Sequence, residues 1–425
     1  MTQSFSQGRT WVWDKTSRNH RPCNQAELPL VVAGAHSRGS RIQLSHERHK
    51  NPRVMKIISC LRAPLILFIA LSVALSARAE NAAKAVYTQS NSAAGNQVVA
   101  FNRAANGRLE SAGSYPTGGM GTGGGLGSQG ALALSHNHRW LLVVNAGSNN
   151  VSVFAVQHDG LVLTDIEASG GSRPISVTID HNLVYVLNAG GAVGGSDNIT
   201  GFYLSNHGDL LPLPDSTRPL SAANVGPAQV SFSPSGDRLM VTEKGTNQIA
   251  TFAVDDNGVS GWADFTESSG LTPFGFAFTP SGVAIVSEAF GGAAGASGIS
   301  SYDVESTGWP VLVTASLTTQ QTAACWVAVA RNGRYAYVTN TGSNTVTGVR
   351  VAHDGSLTLL DADGSSASTG VTPIDAAVSN DDRFLYVLTA GDRSISQYRI
   401  AADGTLTSLG AIGGLSAGTI GLLAR

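Results

Sequence analysis

GRYAYVTNTGSNTVTGVRVAHDGSLTLL, residues 333–360, sets a strand-and-turn pattern that the rest of the chain repeats. An apolar run from Tyr335 to Val338 leads into a polar turn, Asn340 to Asn344. An alternating run, Thr345 to Val351, then passes through an Asp354-Gly355 turn into a third short run, which is the pattern of consecutive antiparallel hairpins. The phrase returns as HRWLLVVNAGSNNVSVFAVQHDGLVL from His138, GDRLMVTEKGTNQIATFAVDDNGV from Gly236 and DRFLYVLTAGDRSISQYRIAADGTLTSL from Asp382. Looser copies lie between, and one turn glycine marks each: Gly107, Gly160, Gly208, Gly258, Gly308, Gly355 and Gly404, spaced 47 to 53 residues apart. That period fits a four-stranded blade of roughly 40–50 residues. The expected fold is all-β, a seven-bladed β-propeller, in which every blade buries both faces against its neighbours.

The segment AKAVYTQSNSAAGNQVVAFNRAANGRLESAGSY supplies three strands of the first blade but no inner one. The stretch from Ala417 to Ala424, AGTIGLLA, has the character of the other inner strands and is otherwise unassigned, so it is expected to complete that blade and close the ring.

Before the repeats, residues 55–79 read as a secretory signal peptide: Lys56 and Arg62, an apolar centre from Leu65 to Leu75, and Ala77-Arg78-Ala79 for cleavage. The expected mature propeller domain is 80–425, periplasmic or secreted, with no membrane span after processing. Residues 1–54 are basic and carry no repeat; they are expected to be untranslated, with Met55 the initiator, or disordered. Of 27 Lys and Arg, 9 precede Met55 and 3 lie in the signal, leaving 15 against 26 Asp and Glu. An acidic domain does not attract phosphate, which argues against a nucleic-acid partner. Of Cys23, Cys60 and Cys325 only the last follows the signal, so the expected mature monomer has no internal disulfide.

Strand alternation puts the start of each inner strand on the same face as the loop after the second strand. The loop positions are Asn145, Asn188, Glu243, Glu288, Asn340 and Thr389; the starts include Arg173, Gln229, Phe274, Trp326 and Asp375. Glu243 and Glu288 can act as base and acid, or hold a divalent cation; equally they can cap loops or pair with Lys244 and neighbouring amides. No other cofactor is implied. Arg173 suits a substrate carboxylate, or it can neutralise Glu243 or Asp375 across the mouth. Gln229, Asp375, Asn145, Asn188 and Asn340 offer ligand hydrogen bonds, while Phe274 and Trp326 offer apolar walls. Three long loops, 118–130, 188–198 and 288–298, crowd this face and have the length of binding loops. His136 and His138 have metal-pair spacing but lie in a turn on the opposite face, where they are read as solvated. Gly119, Gly121 and Gly124 satisfy G-x-G-x-x-G with a strand rather than a helix after them, which is not a dinucleotide site.

YAYVTNTGSNTVTGVRV (335–351), LLVVNAGSNNVSVFAV (141–156) and FSPSGDRLMVTEKGTNQIATFAV (232–254) resemble the lactonase family of seven-bladed propellers. That family includes a 6-phosphogluconolactonase and the fungal carboxymuconate cyclase, with the YVTN-type surface-layer propellers as relatives. The resemblance implies lactone hydrolysis or lactonising cyclisation by a His, an Arg and a Glu at the channel mouth. The matching motifs here read Pro227-Ala228-Gln229, Pro273-Phe274-Gly275 and Ser287-Glu288-Ala289, so only Glu288 carries over. The expectation is an exported lactonase-type enzyme using Glu288 or Glu243 with Arg173; the alternative is a non-catalytic envelope propeller that binds a small molecule or a protein.

Overall fold

The computed structural model describes residues 84–306 and 308–425, so the expectations for residues 1–54 and for the signal peptide lie outside the described part. Seven antiparallel sheets follow in chain order. Blade 1 contains Ala85–Gln89, Gln97–Arg103 and Leu109–Pro116; blades 2 to 7 open on the inner strands Leu132–Leu134, Pro174–Asp180, Pro227–Phe232, Pro273–Phe278, Ala324–Val329 and Pro373–Val378. Each inner strand packs against those of the flanking blades. The 333–360 stretch forms Tyr335–Asn340, Thr345–Val351 and Leu357–Leu359, the three strands read from it. Blades 3 and 6 break their outer strand in two, at Pro212–Pro214 and at the Asp361–Gly364 turn, and so count five strands. A proline cannot donate to the ladder, which explains the first break. Among the described residues no helix is long and apolar enough to cross a membrane.

The seven marker glycines hold the blades together. All have positive φ, between 79° and 146°. In six of them a Cβ would collide with a side chain of the preceding blade at the start of that blade's second strand: Gly107 with Phe384, Gly208 with Trp140, Gly258 with Leu183, Gly308 with Arg238, Gly355 with Val283 and Gly404 with Tyr335. Backbone conformation and close approach therefore both demand glycine. Three tyrosines add a hydrogen bond across the same seams: Tyr185 to Gly258 O, Tyr337 to Gly404 O and Tyr386 to Gly107 O, each 2.8 Å.

Ring closure follows the expectation with a later start. The strand is Ile420–Ala424, antiparallel to Ala85–Gln89, because Ser416 to Thr419 form a turn instead of extending it. It also packs against the inner strands of blades 2 and 7. Arg103, almost fully buried, secures the junction: it pairs with Asp381 of blade 7 at 3.0 Å, donates to Arg425 O, and stacks on Phe384.

Candidate functional site

Strand register places the expected residues on one face. Pro174 pairs with Asn188, Pro227 with Glu243, Pro273 with Glu288, Ala324 with Asn340 and Pro373 with Thr389. A register shift follows each of these pairs and re-aims the next residues, a common device beside binding sites. The repeated asparagine that ends the turn after the second strand also acts here. Asn149, Asn247 and Asn344, all at positive φ, accept the backbone N–H of Arg173, Thr272 and Thr372 and so fix where the next blade begins.

The polar side chains that end the second strands are turned into the protein. Asn145, Asn188, Glu243, Glu288, Asn340 and Thr389 are all 0% exposed. Asn145 donates to Asn150 and Ser152 and accepts from Asn96 and Thr117; Asn340 donates to Thr345 and Thr347; Asn188 donates to Ser169 O and Asn198. Glu243 accepts from the Ser221 amide at 3.0 Å, the Ser221 hydroxyl and the Thr246 hydroxyl. Glu288 accepts from the Gly270 amide at 2.8 Å and the Ser316 hydroxyl. Burial pushes the Glu288 carboxyl above its ordinary value, opposed by those donors. Each carboxylate thus has its own set of donors from its own blade and from the connection leading into or out of it. The structure does not bring the two together around a shared ligand.

At the mouth itself stand different groups. Phe274 and Trp326 lie with ring centroids 5.0 Å apart, in a small apolar cluster with Cys325, Ala289, Ala323 and Ile374. Lys244, next to Glu243, carries its ammonium 4.6 Å from the Phe274 ring and donates to Gly127 O at 2.6 Å and Pro227 O at 2.9 Å. Burial lowers its amine to about 8; Cys325 and Asp197 oppose that shift, and the Arg173 guanidinium adds to it. Burial likewise pushes the Cys325 thiol up to about 11, which keeps it neutral. The sequence offers Lys244 only as a partner for the two carboxylates, not as a site residue. Its signal was available, since it is one of two lysines after Glu80 and sits where other blades carry alanine or threonine.

The 118–130 loop crosses the mouth. Ser128 donates to Ile175 O of blade 3, and its carbonyl accepts from the Trp326 indole of blade 6 at 2.9 Å. Gln129 donates its backbone N–H to Ala228 O of blade 4 and pairs through its side-chain amide with both backbone groups of Val327 in blade 6. Gly275 makes room for that amide, since a Cβ there would meet Gln129 and the Cys325 carbonyl. The other inner-strand polar residues serve neighbours in a similar way. Gln229 accepts from Phe276 N at 2.8 Å in the next blade; Asp375, 2% exposed, accepts from Ala376 N and from the amide of Leu422. Burial raises the Asp375 carboxyl well above its ordinary value. Arg173 is half-buried. The 188–198 loop is held by Asp197, which accepts from Gly191 N and Val225 N. The third long loop contains a short 3-10 turn, Phe290–Gly292. On the far face His138 meets Asn380 at 3.3 Å, and His136 is exposed.

A closed ring of seven blades with its polar loops gathered at one channel mouth defines a propeller whose candidate site is built from loops on that face. The family described as "Lactonase, 7-bladed beta-propeller" matches residues 82–218, 203–289 and 293–413, and the chain belongs to that family. Similar solved structures include a 6-phosphogluconolactonase candidate from Bacteroides fragilis (19% identity, 81% of this chain, 98% of that one, TM-score 0.61). A periplasmic gluconolactonase from Pseudomonas aeruginosa aligns at 16% identity over 80% and 98% of the two chains, TM-score 0.63. A protein from Lactobacillus plantarum aligns at 17% identity over 80% and 99%, TM-score 0.65. At these identities the likeness is one of fold. No curated protein matches the sequence.

Proposed function

We propose that the protein is an exported lactone hydrolase whose site is the channel mouth, with Lys244 rather than Glu288 as the charged group that meets the substrate. The observation that carries this reading is the Lys244 ammonium, desolvated beside the Phe274 and Trp326 walls. An ammonium has three N–H donors, and two are taken by Gly127 O and Pro227 O. The third serves an incoming lactone carbonyl. As water adds to that carbonyl, negative charge grows on its oxygen, and a fixed cation in a low-dielectric site stabilises it more than the neutral ground state. The ring C–O bond then breaks, the proton from water passes to the leaving alkoxide, and a hydroxy acid results. Arg173 is placed on the same face to hold the carboxylate formed. Glu243 and Glu288 hold the loops that shape the mouth. The family and the named activity of the Pseudomonas aeruginosa neighbour support the reaction class; the signal-like residues 55–79 support export.

A second reading, a non-catalytic ligand binder, is favoured by one observation: the Gly127–Gln129 segment lies across the mouth, held from blades 3, 4 and 6. Hydrolysis of a panel of five- and six-membered lactones separates the two. For the hydrolase, Lys244→Met should lower kcat/KM by about 100-fold, the scale of one lost oxyanion donor, and Glu288→Gln should change it by less than about tenfold while lowering the melting temperature. Activity should fall as pH rises through about 8, where Lys244 loses its proton. No turnover of any lactone by the wild-type protein selects the binder; a 100-fold loss in Glu288→Gln alone overturns the assignment of Lys244.

A further inference from the structure

The six seams at which a bulky or charged side chain covers the next blade's turn glycine have one exception. At the corresponding position of blade 1 stands Ala85, facing Gly160 of blade 2. The missing volume is not taken up. A cleft of about 350 Å³ remains between blades 1 and 2, floored by Ala85 and Ala112 and walled by Tyr87 and Tyr115, with His158 and Asp159 exposed on its rim. Tyr115 alone leans over Gly160, where a Cβ would meet its hydroxyl. The cleft opens at the Gln157–Gly160 turn, at the opposite end of the blades from the loops of the channel mouth.

We infer that this seam is a second ligand site, for an uncharged polyol ring of monosaccharide size. A simple packing fault between sheets would be lined by apolar groups, yet here Tyr115, His158 and Asp159 line the hollow together with Tyr87, whose hydroxyl is engaged by Arg425. Two aromatic walls suit the flat C–H face of a sugar ring, and hydroxyl, imidazole and carboxylate groups supply the mixed donors and acceptors that adjacent ring hydroxyls need. The rim sets one acid beside one histidine, and the Arg425 guanidinium engages the Tyr87 hydroxyl in the wall; one carboxylate against one guanidinium leaves no net charge, which favours a neutral ligand. The volume lies at the lower end of the roughly 300–1,000 Å³ typical of small-molecule pockets, enough for one or two rings.

Saturation-transfer NMR on the full chain with D-glucose, D-galactose and myo-inositol, and with sodium gluconate as the charged contrast, tests this. At least one neutral ring should bind saturably. Ala85→Trp, which restores the residue of the next blade at that position, should abolish the signal, raise the melting temperature and leave lactone turnover unchanged. Tyr115→Phe should weaken binding about tenfold, the scale of one hydrogen bond, and it decides the matter if Ala85→Trp does not fold. Lys244→Met should leave the signal unchanged, which separates this site from the mouth. Binding by none of the neutral rings, binding of gluconate alone, or equal signals in wild type and Tyr115→Phe overturns the inference.

Discussion

Two neighbouring seams carry opposite solutions to one problem. Between blades 7 and 1, Phe384 is fully buried against Gly107, Tyr386 donates to the glycine carbonyl, and Arg103 ties Asp381 to Arg425. Between blades 1 and 2, Ala85 leaves a hollow over Gly160. At the turn-glycine position the ring is tightly fastened where its two distant segments meet and open one seam further on; the first seam has its own hollow of about 400 Å³ elsewhere, beside Ser111, Ser114 and the 412–416 connection. Closure has only noncovalent bonds to rely on, whereas the next seam is backed by a continuous chain.

The comparison breaks most severely if closure itself is removed. Ending the chain at Thr419 takes away the partner of Ala85–Gln89, the Thr88 hydroxyl bond to Ile420 O and the Arg103 contact with Arg425 O. The loss should exceed about 5 kcal/mol, within the range of a domain's whole stability, so the protein should aggregate or fail to fold; a cooperative thermal transition at the unchanged temperature would refute this. Next comes Phe384→Ala, expected to cost about 3–5 kcal/mol as a large buried truncation, against roughly 1 kcal/mol for Tyr115→Ala beside the existing hollow. Denaturant titration of both variants measures the contrast, and equal losses would mean the two seams are equivalent. A finer version substitutes the glycines. Gly107→Ala drives a methyl into the Phe384 ring at φ 89°, whereas Gly160→Ala meets only the free end of Tyr115, which can swing into the cleft. Gly107→Ala should therefore be the worse by about 1–2 kcal/mol.

The smallest effect concerns pH. Asp375 lies in the strand that packs against the closing strand, and burial raises its carboxyl well above the ordinary value. Between the ordinary and the raised value the folded ring binds a proton that the unfolded chain releases, so stability falls as pH rises through that window. Asp375→Asn removes that titration. The variant should match the wild type near pH 4 and melt a few degrees higher at pH 8; a wild-type melting temperature that is flat across the range would show that Asp375 is not the group responsible.

Much of this architecture is legible in the sequence because it repeats. The marker glycines, the Asn that ends the second-to-third turn of blades 2, 4 and 6, and the unassigned C-terminal strand each recur, or are missed, at a fixed period, and each answers to a local demand of backbone geometry. The side-chain directions at the mouth were less accessible. Period-two alternation aims the last residue of a second strand, Glu243 or Glu288, toward the preceding connection, where Ser221 and Gly270 wait as donors. Those partners lie 22 and 18 residues away in connections that do not repeat. The contact of Lys244 with Gly127 and the Gly127–Gln129 crossing were hidden for the same reason: they join residues 47 to 198 positions apart, through loops that exist once.

The closing strand also sets a timetable for synthesis. Thr88 and its partner Ile420 are 332 residues apart, so at roughly 5–20 residues per second the first blade waits on the order of half a minute for its last strand. Through that interval the nascent protein is an open arc with the edge of Ala85–Gln89 bare. Unpaired strand edges invite association with other chains, so crowded translation of one message exposes many such arcs to one another. A factor that shields this edge, or passage across a membrane before folding begins, would protect the protein more than any gain in the stability of the finished ring.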